Sequence, residues 1–428
     1  MNKKFKNTLK SVFVQQVGTT AISQAAMLLL SLATAAITAR WLGPEGKGEL
    51  AMVFMVPAML QLFLCAGLGP ANVYYVGSNR IPVRQLAQNS VAFSLMGTLI
   101  GFVLIFLFLK SNLLGALLPG VSSGYLLLVM LALPLGLLSS NLSAILHGLQ
   151  RILTLNVLNI ARSSLSVVLM AVFLIWLELG LPGAIFATLA VQLIVFLVIA
   201  FYAKREGAGF RPRWNLEVVK PTFGYGVKGY ISNLFQFFNY RLDFFIVNYF
   251  LGPAEVGIYG VSVTIAELLW QLPNAASFVI LPKSVNSSQA EMNRFTPRVF
   301  LIIFCITFLG AIGLALFGRP FILMVFSSAF LGAYIPLLVL LPGVVLLGSC
   351  KVLANDIGGR GFPHYNSINS GLSFVATVIF DLLLIPKMGV VGAALASTLS
   401  YILGFVLAVI FYISVARKAS LGNCASRA

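Results

Sequence analysis

Leu42-Gly43-Pro44-Glu45-Gly46-Lys47-Gly48 is answered 209 positions later by Leu251-Gly252-Pro253-Ala254-Glu255-Val256-Gly257. The Leu-Gly-Pro opening and the closing glycine keep the same offset. Working outward, Ile22-Ser23-Gln24 returns as Ile231-Ser232-Asn233, and Gly180, Gly183, Ala184 and Ala187 return as Gly389, Gly392, Ala393 and Ala396, again 209 residues on. Asn156 and Asn159 return as Asn366 and Asn369 at an offset of 210, and Pro134 as Pro342 at 208. One such pair could arise by chance; a near-constant offset along the whole chain points to duplication. The sequence therefore divides into two halves, about 1–209 and 210–428. In a membrane protein, duplicated halves point to a transporter that works by alternating access, with its site between the repeats.

Composition supplies the membrane. Hydrophobic residues make up 59% of the 428 positions and charged residues 9%, against about 25% charged in a soluble domain. A chain this apolar cannot cover itself for water. The apolar runs predict twelve spans of roughly 20 residues, the length one helix needs to cross a bilayer. They fall near 13–40, 50–76, 86–109, 124–147, 154–177, 182–203, 222–250, 257–280, 299–318, 333–355, 365–385 and 390–414. The expected fold is an all-α polytopic membrane protein: a six-helix bundle over 1–209, a second over 210–428, and a flexible tether over about 203–221. Six spans per half means that both halves enter from the same side, so the repeats are parallel. Cys65, Cys305, Cys350 and Cys424 form no CxxC pattern and read as small packing residues; neither a disulfide nor a metal site is inferred.

The net charge of +17 resembles a nucleic-acid signal until it is placed on the spans. Of the 28 Lys and Arg, nineteen fall on the side that holds both termini, five on the other and four within spans. That asymmetry is the positive-inside rule and puts both termini in the cytoplasm. No loop is long enough for a folded basic domain, so nucleic acid is not an expected partner; the bilayer is. No GxxxxGK[ST] run is present, and so no ATP motor of the chain's own is expected.

A charge inside the bilayer costs about 2.5–3.5 kcal/mol even on the lenient scales and marks a functional candidate. Seven residues qualify: Arg162, Lys228, Arg241, Lys351, Asp243, Glu267 and Asp381. At about 100° per residue, Lys228, Ser232, Gln236, Asn239 and Asp243 share one face of the seventh span, a polar stripe suited to lining a cavity. Arg241 points away from Asp243, and Glu267 on the eighth span is its candidate partner. On the fifth span, Asn156, Asn159 and Arg162 recur at three-residue spacing, whereas the second half has Leu372 in place of the arginine. Lys351 and Asp381 are expected to lie shallow, near span ends. The surplus of cations over deep acids suits an anionic head group such as a phosphate, which arginine can grip with two parallel bonds.

The run Ala39-Arg40-Trp41-Leu42-Gly43-Pro44-Glu45-Gly46-Lys47-Gly48 resembles the helix 1–2 junction of polysaccharide transporters, the O-antigen flippase branch of the multidrug/oligosaccharidyl-lipid/polysaccharide exporter superfamily. Arg241-Leu242-Asp243-Phe244-Phe245 is similar to their helix 7. Leu384-Ile385-Pro386-Lys387-Met388-Gly389-Val390-Val391-Gly392-Ala393-Ala394 is similar to their helix 11–12 junction, and Phe317-Gly318-Arg319-Pro320-Phe321 also fits. The resemblance covers essentially the whole chain. It implies a flippase that moves an undecaprenyl-diphosphate-linked oligosaccharide from the cytoplasmic to the periplasmic leaflet of the inner membrane, with a polysaccharide polymerase and a chain-length regulator as partners. It also implies that the diphosphate and sugar contact basic and polar residues, here Arg162, Lys228, Arg241, Lys351, Asn239 and Asn159. No cofactor is implied; a proton or sodium gradient would drive turnover through Asp243 or Glu267. Two rivals stand beside this reading. A cation-coupled multidrug extruder of the same superfamily would want deep acids in the first six spans, which have none. A membrane polymerase or ligase would want a large external catalytic loop, and the outer loops span only about 5–15 residues.

Overall fold

A computed structural model describes the backbone of residues 3–111 and 113–425, and the side chains from residue 23 onward except 112–114, 227–229, 232, 278, 279, 281, 282, 286 and 417–428. No strand occurs among the described residues. The helices are α1 (Lys3–Cys65), α2 (Leu68–Gly77), α3 (Val83–Lys110), α4 (Leu113–Leu117), α5 (Ser123–Val129), α6 (Ala132–Gly148) and α7 (Ile152–Ala171), which runs into a π-helical turn at Val172–Trp176. Then come α8 (Gly180–Arg205), α9 (Leu216–Leu251), α10 (Pro253–Glu267), α11 (Gln271–Asn286), α12 (Gln289–Val325), α13 (Tyr334–Gly359) and α14 (Pro363–Ala425). Among the described residues, nine helical segments are long and apolar enough to cross a membrane. Two of them, Ser23–Cys65 and Pro363–Ala416, run to 43 and 54 residues, well beyond the ~20 of a single crossing.

The repeat motif explains how such long helices turn. Gly43 breaks α1 at φ 67°, ψ −176°, and its counterpart Gly252 stands before α10 at φ 85°, ψ 178°. Gly389 breaks α14 at φ 60°, ψ −141°, and its counterpart Gly180 opens α8 at φ 57°. Positive φ with extended ψ is essentially reserved for glycine. A Cβ at Gly43 or Gly252 would meet no neighbouring atom, so the backbone alone demands the residue. Pro44 and Pro253 follow because the first turn of a helix has no use for their missing N–H. At the first junction Lys47 Nζ reaches back across the kink to the carbonyl of Ala35, 2.9 Å away. Gly252→Ala should lower the thermal midpoint through a cost of about 1–3 kcal/mol, while Gly313→Ala, inside α12 with open space for a Cβ and an ordinary helical φ, should not; equal midpoints for the two variants would refute the backbone account.

The chain forms two compact units, Met1–Tyr230 and Ile231–Ala428, and the boundary falls inside α9. The opening turns of α9 belong to the first unit through specific contacts. Ala66 and Gly67 take positive φ between α1 and α2, and there Gly67 and Gly226 meet backbone to backbone, with no room for a Cβ on either. Tyr230 donates its hydroxyl to the Leu62 carbonyl, Tyr75 donates to the Pro221 carbonyl at 3.3 Å, and Tyr74 stacks on Tyr225 at 4.5 Å.

The connection before α9 is not the flexible tether that its glycines and proline suggest. Ala208 is buried and packs in a core with Val76, Leu146 and Val218. Arg213 N donates to Gln88 O at 3.3 Å, and Asn215 N to Asn89 Oδ1 at 3.2 Å. The Trp214 ring lies parallel to Phe93, 6.1 Å between centroids. Composition alone could not reveal this, because the anchors on α3 are far away in sequence.

Candidate functional site

The first unit holds a cavity of about 550 Å³, walled by α1, α6, α7 and α8. Arg162 and Asn159 line it from α7, one turn apart on the face that the sequence spacing gives them. Ser139, Ser140 and Ser143 come from α6, Gln61 from α1 and Gln192 from α8. Gly136 leaves the space into which the Gln61 amide folds; a Cβ there would strike Gln61 Oε1. Gln192 Oε1 is buried and has no hydrogen-bond partner. None of the lining residues is acidic, and no ion pair holds Arg162 among the described residues. The site thus offers one open guanidinium surrounded by neutral donors and acceptors. The corresponding residues of the second unit do otherwise: Asn366 donates to Ala354 O at 2.8 Å and Asn369 to Gly404 O at 3.0 Å, so there the asparagines bond helix to helix.

In the second unit Arg241 and Glu267 form the ion pair that their spacing allows. Nη1 and Nη2 meet Oε1 and Oε2 at 3.0 and 3.2 Å, with both side chains about a third exposed or less. The pairing neutralises Arg241, so it offers less positive charge than a bare count of cations assigns to it. Lys351 Nζ donates to Asn274 Oδ1 at 2.9 Å and sits 4.3 Å from the centre of the Trp270 ring, a cation–π arrangement. Tyr240 packs on the same Trp270, 5.1 Å between centroids. The side chain of Lys228 lies outside the described residues.

The polar stripe of α9 does not stay on one exposed wall. Gln236 is exposed, but Asn239 and Asp243 are buried at 5% and 2% against α14. There Ser373, Thr377 and Asp381 repeat every fourth residue, all at 3% exposure or less. Thr377 donates to Asn239 Oδ1 at 2.5 Å. Asp243 Oδ2 accepts from Tyr259 at 2.5 Å and from Ser397 at 3.3 Å, while Oδ1 accepts from the Phe244 amide at 2.9 Å. Asp381 is fully buried, neither of its carboxyl oxygens has a hydrogen-bond partner, and it interacts electrostatically with Asp243. Asp381 is thus enclosed by packed helices rather than set at an open helix end. The apolar run suggests a helix end near 385, but α14 continues to the kink at Gly389, which leaves Asp381 two turns inside the helix.

A second buried cluster, around Asp356 and Arg360, falls outside the sequence candidates because both lie at the edge of the tenth apolar run. Here α13 extends through Gly359 and buries both, with side chains 0% and 2% exposed.

A helical membrane protein, duplicated in sequence and holding a polar cavity inside an apolar bundle, is built as a transporter. The family is shown by residues 37–335, which match the polysaccharide biosynthesis protein family, and the chain belongs to it. That agrees with the resemblance of its junction motifs. A relative named "Probable flippase AglR", from Haloferax volcanii, is 28% identical over 46% of this chain and 44% of its own length, so the chain matches less than half of it. A relative named "Putative O-antigen transporter", from Shigella flexneri, is 23% identical over 89% of this chain and 92% of its own. Among solved structures, the lipid II flippase MurJ in an inward closed conformation aligns with a TM-score of 0.72 at 14% identity, covering 94% of this chain and 90% of that one. An inward-facing MATE-family multidrug transporter of the MOP superfamily gives 0.70 at 18%, covering 94% and 98%. At these identities the likeness shows a shared fold.

Proposed function

We propose that this chain is a flippase. It carries an undecaprenyl-diphosphate-linked oligosaccharide repeat unit from the cytoplasmic to the outer leaflet of the inner membrane by alternating access, driven by a proton or sodium gradient. The observation that carries this reading is the cavity of the first unit, where Arg162 stands open among hydroxyls and amides with no carboxylate in the lining. Such a site attracts an anionic, hydroxyl-rich head group and has nothing to offer a cationic drug. The names of the relatives support the same reading. Counting the two kinked helices twice and adding α9 gives twelve crossings, six per repeat, with both termini cytoplasmic by the positive-inside asymmetry. In this scheme Arg162 and Asn159 hold the phosphate end, Lys228, Lys351, Arg241 and Asn239 supply further contacts, and Asp243 with Asp381 couples the ion. Glu267 supports Arg241. A polymerase and a chain-length regulator would act on the flipped product.

The test is genetic. Deleting the gene should remove surface glycan while the lipid-linked repeat unit persists on the cytoplasmic face. Unchanged glycan together with raised sensitivity to cationic drugs would replace this reading with a multidrug extruder. Within the protein, Arg162→Ala should lower export by about 10- to 100-fold, as expected from the ~1.5–3 kcal/mol of a hydrogen bond to a charged group. Arg162→Lys should retain part of it, and the amount of folded protein should be equal in all three. Export at the wild-type level in Arg162→Ala would remove the phosphate site from this cavity.

A further inference from the structure

We infer that the cavity of the first unit is a selectivity site for an uncharged sugar, so that the glycan carried is neutral rather than built from uronic or sialic acids. The inference rests on the flippase reading and deepens it. Apart from Arg162, the polar lining is three serine hydroxyls on α6 and the amides of Gln61, Asn159 and Gln192. The Thr188 hydroxyl is already committed to the Ala184 carbonyl at 2.8 Å, and the Ser140 hydroxyl is engaged with the Cys65 thiol. Hydroxyls and amides both donate and accept, which is the bonding pattern of a sugar ring with free hydroxyl groups. Gln192 lines the cavity, and its buried Oε1 accepts no bond within the protein, so turning the amide toward the cavity lets it accept from a sugar hydroxyl without breaking a bond.

Charge balance sets the class. Arg162 is the single cation in the lining of this cavity, and no carboxylate there balances it. Arg162 can serve one anion. A sugar carboxylate held in this cavity beside the diphosphate would find no second cation in the lining. A neutral sugar leaves Arg162 to the phosphate and lets its own hydroxyls bond to Ser139, Ser143, Gln61 and Gln192.

The full-length protein in lipid nanodiscs can be titrated with three short-chain probes: farnesyl diphosphate, farnesyl-diphosphate-linked glucose and farnesyl-diphosphate-linked glucuronate. The two sugars differ only in a hydroxymethyl against a carboxylate. Wild-type protein should bind the glucose probe at least about tenfold more tightly than the glucuronate probe. Gln192→Lys should close or reverse that gap. Gln192→Leu, a milder change for folding, should weaken glucose-probe binding while leaving farnesyl diphosphate unchanged. Equal or tighter binding of glucuronate by the wild type overturns the inference, as does a glucose probe that binds no better than farnesyl diphosphate; both leave the flippase reading intact. Failure of all three probes to bind would overturn that reading and the neutral-sugar site with it.

Discussion

Asp381→Asn should leave a protein that is at least as stable as the wild type and no longer couples export to an ion gradient. The two halves of that result come from one feature. Asp381 is fully buried in α14, its carboxyl oxygens have no hydrogen-bond partner, and it shares its field with Asp243. A buried carboxyl group that lacks a hydrogen-bond partner and feels a second carboxyl is suited to exchanging a proton or a cation. Such an arrangement is expensive for folding, and removing one charge while keeping the shape relieves it. Asp243 is well satisfied by Tyr259, Ser397 and the Phe244 amide, which leaves Asp381 as the member whose proton or cation can exchange. In proteoliposomes under an imposed pH or sodium gradient, Asp381→Asn should cut gradient-driven export at least about tenfold, while its thermal midpoint stays level or rises, the usual opposition of stability and activity at a working site. Asp243→Asn should also lose coupling but with a falling midpoint, because it breaks a satisfied network. A gradient response retained by Asp381→Asn, or a sharp drop in its midpoint, would make this residue structural and sink the coupling assignment.

The features legible in the sequence are those enforced by a local rule. Gly43, Gly252, Gly180 and Gly389 recur at a fixed offset because the positive φ at these junctions strongly favours glycine, and duplication preserved what the backbone required. Arg162 and Asn159 can be placed on one face because three residues nearly complete a helical turn. The Arg241–Glu267 pair follows from the same periodicity plus the rule that a charge in an apolar helix seeks a partner. What escapes depends on where helices end or on distant partners. The burial of Asp381 escapes because the apolar run stops four residues short of the kink at Gly389 and the residues that enclose it are distant in sequence. The strap before α9 reads as mobile because Phe93, Gln88 and Asn89, which hold Trp214, Arg213 and Asn215, lie more than a hundred residues upstream. The stripe Ser373-Thr377-Asp381 is readable at its four-residue spacing, but only the folded chain shows that it meets Asn239 and Asp243.

Asp356→Ala should destabilise the second unit more than Gly252→Ala or either carboxylate-to-amide change at Asp243 and Asp381. Asp356 Oδ1 accepts from Ser284 at 2.6 Å and from Arg360 Nε at 2.9 Å; Oδ2 accepts from Thr296 at 2.7 Å and from Arg360 Nη2 at 2.8 Å. Arg360 Nη1 continues to Asn293 Oδ1 at 2.7 Å, and the guanidinium lies 5.5 Å from the Tyr412 ring centre. One carboxylate therefore joins α11, α12 and α13, and its arginine reaches α14. Truncating it strands a guanidinium that is 2% exposed, and breaking a buried pair in this way costs about 3–5 kcal/mol. The expected outcome is a large fall in folded protein and in thermal midpoint, whatever the substrate. The cost lies in the orphaned charge rather than in the worth of the pair, so removing both charges should hurt less than removing one. Asp356→Leu combined with Arg360→Met should recover much of the midpoint lost by Asp356→Ala, because well-packed apolar residues can replace a buried ion pair at little cost. A double variant as unstable as the single would show that the bonds from Ser284, Thr296 and Asn293, rather than charge balance, hold this end of the unit together.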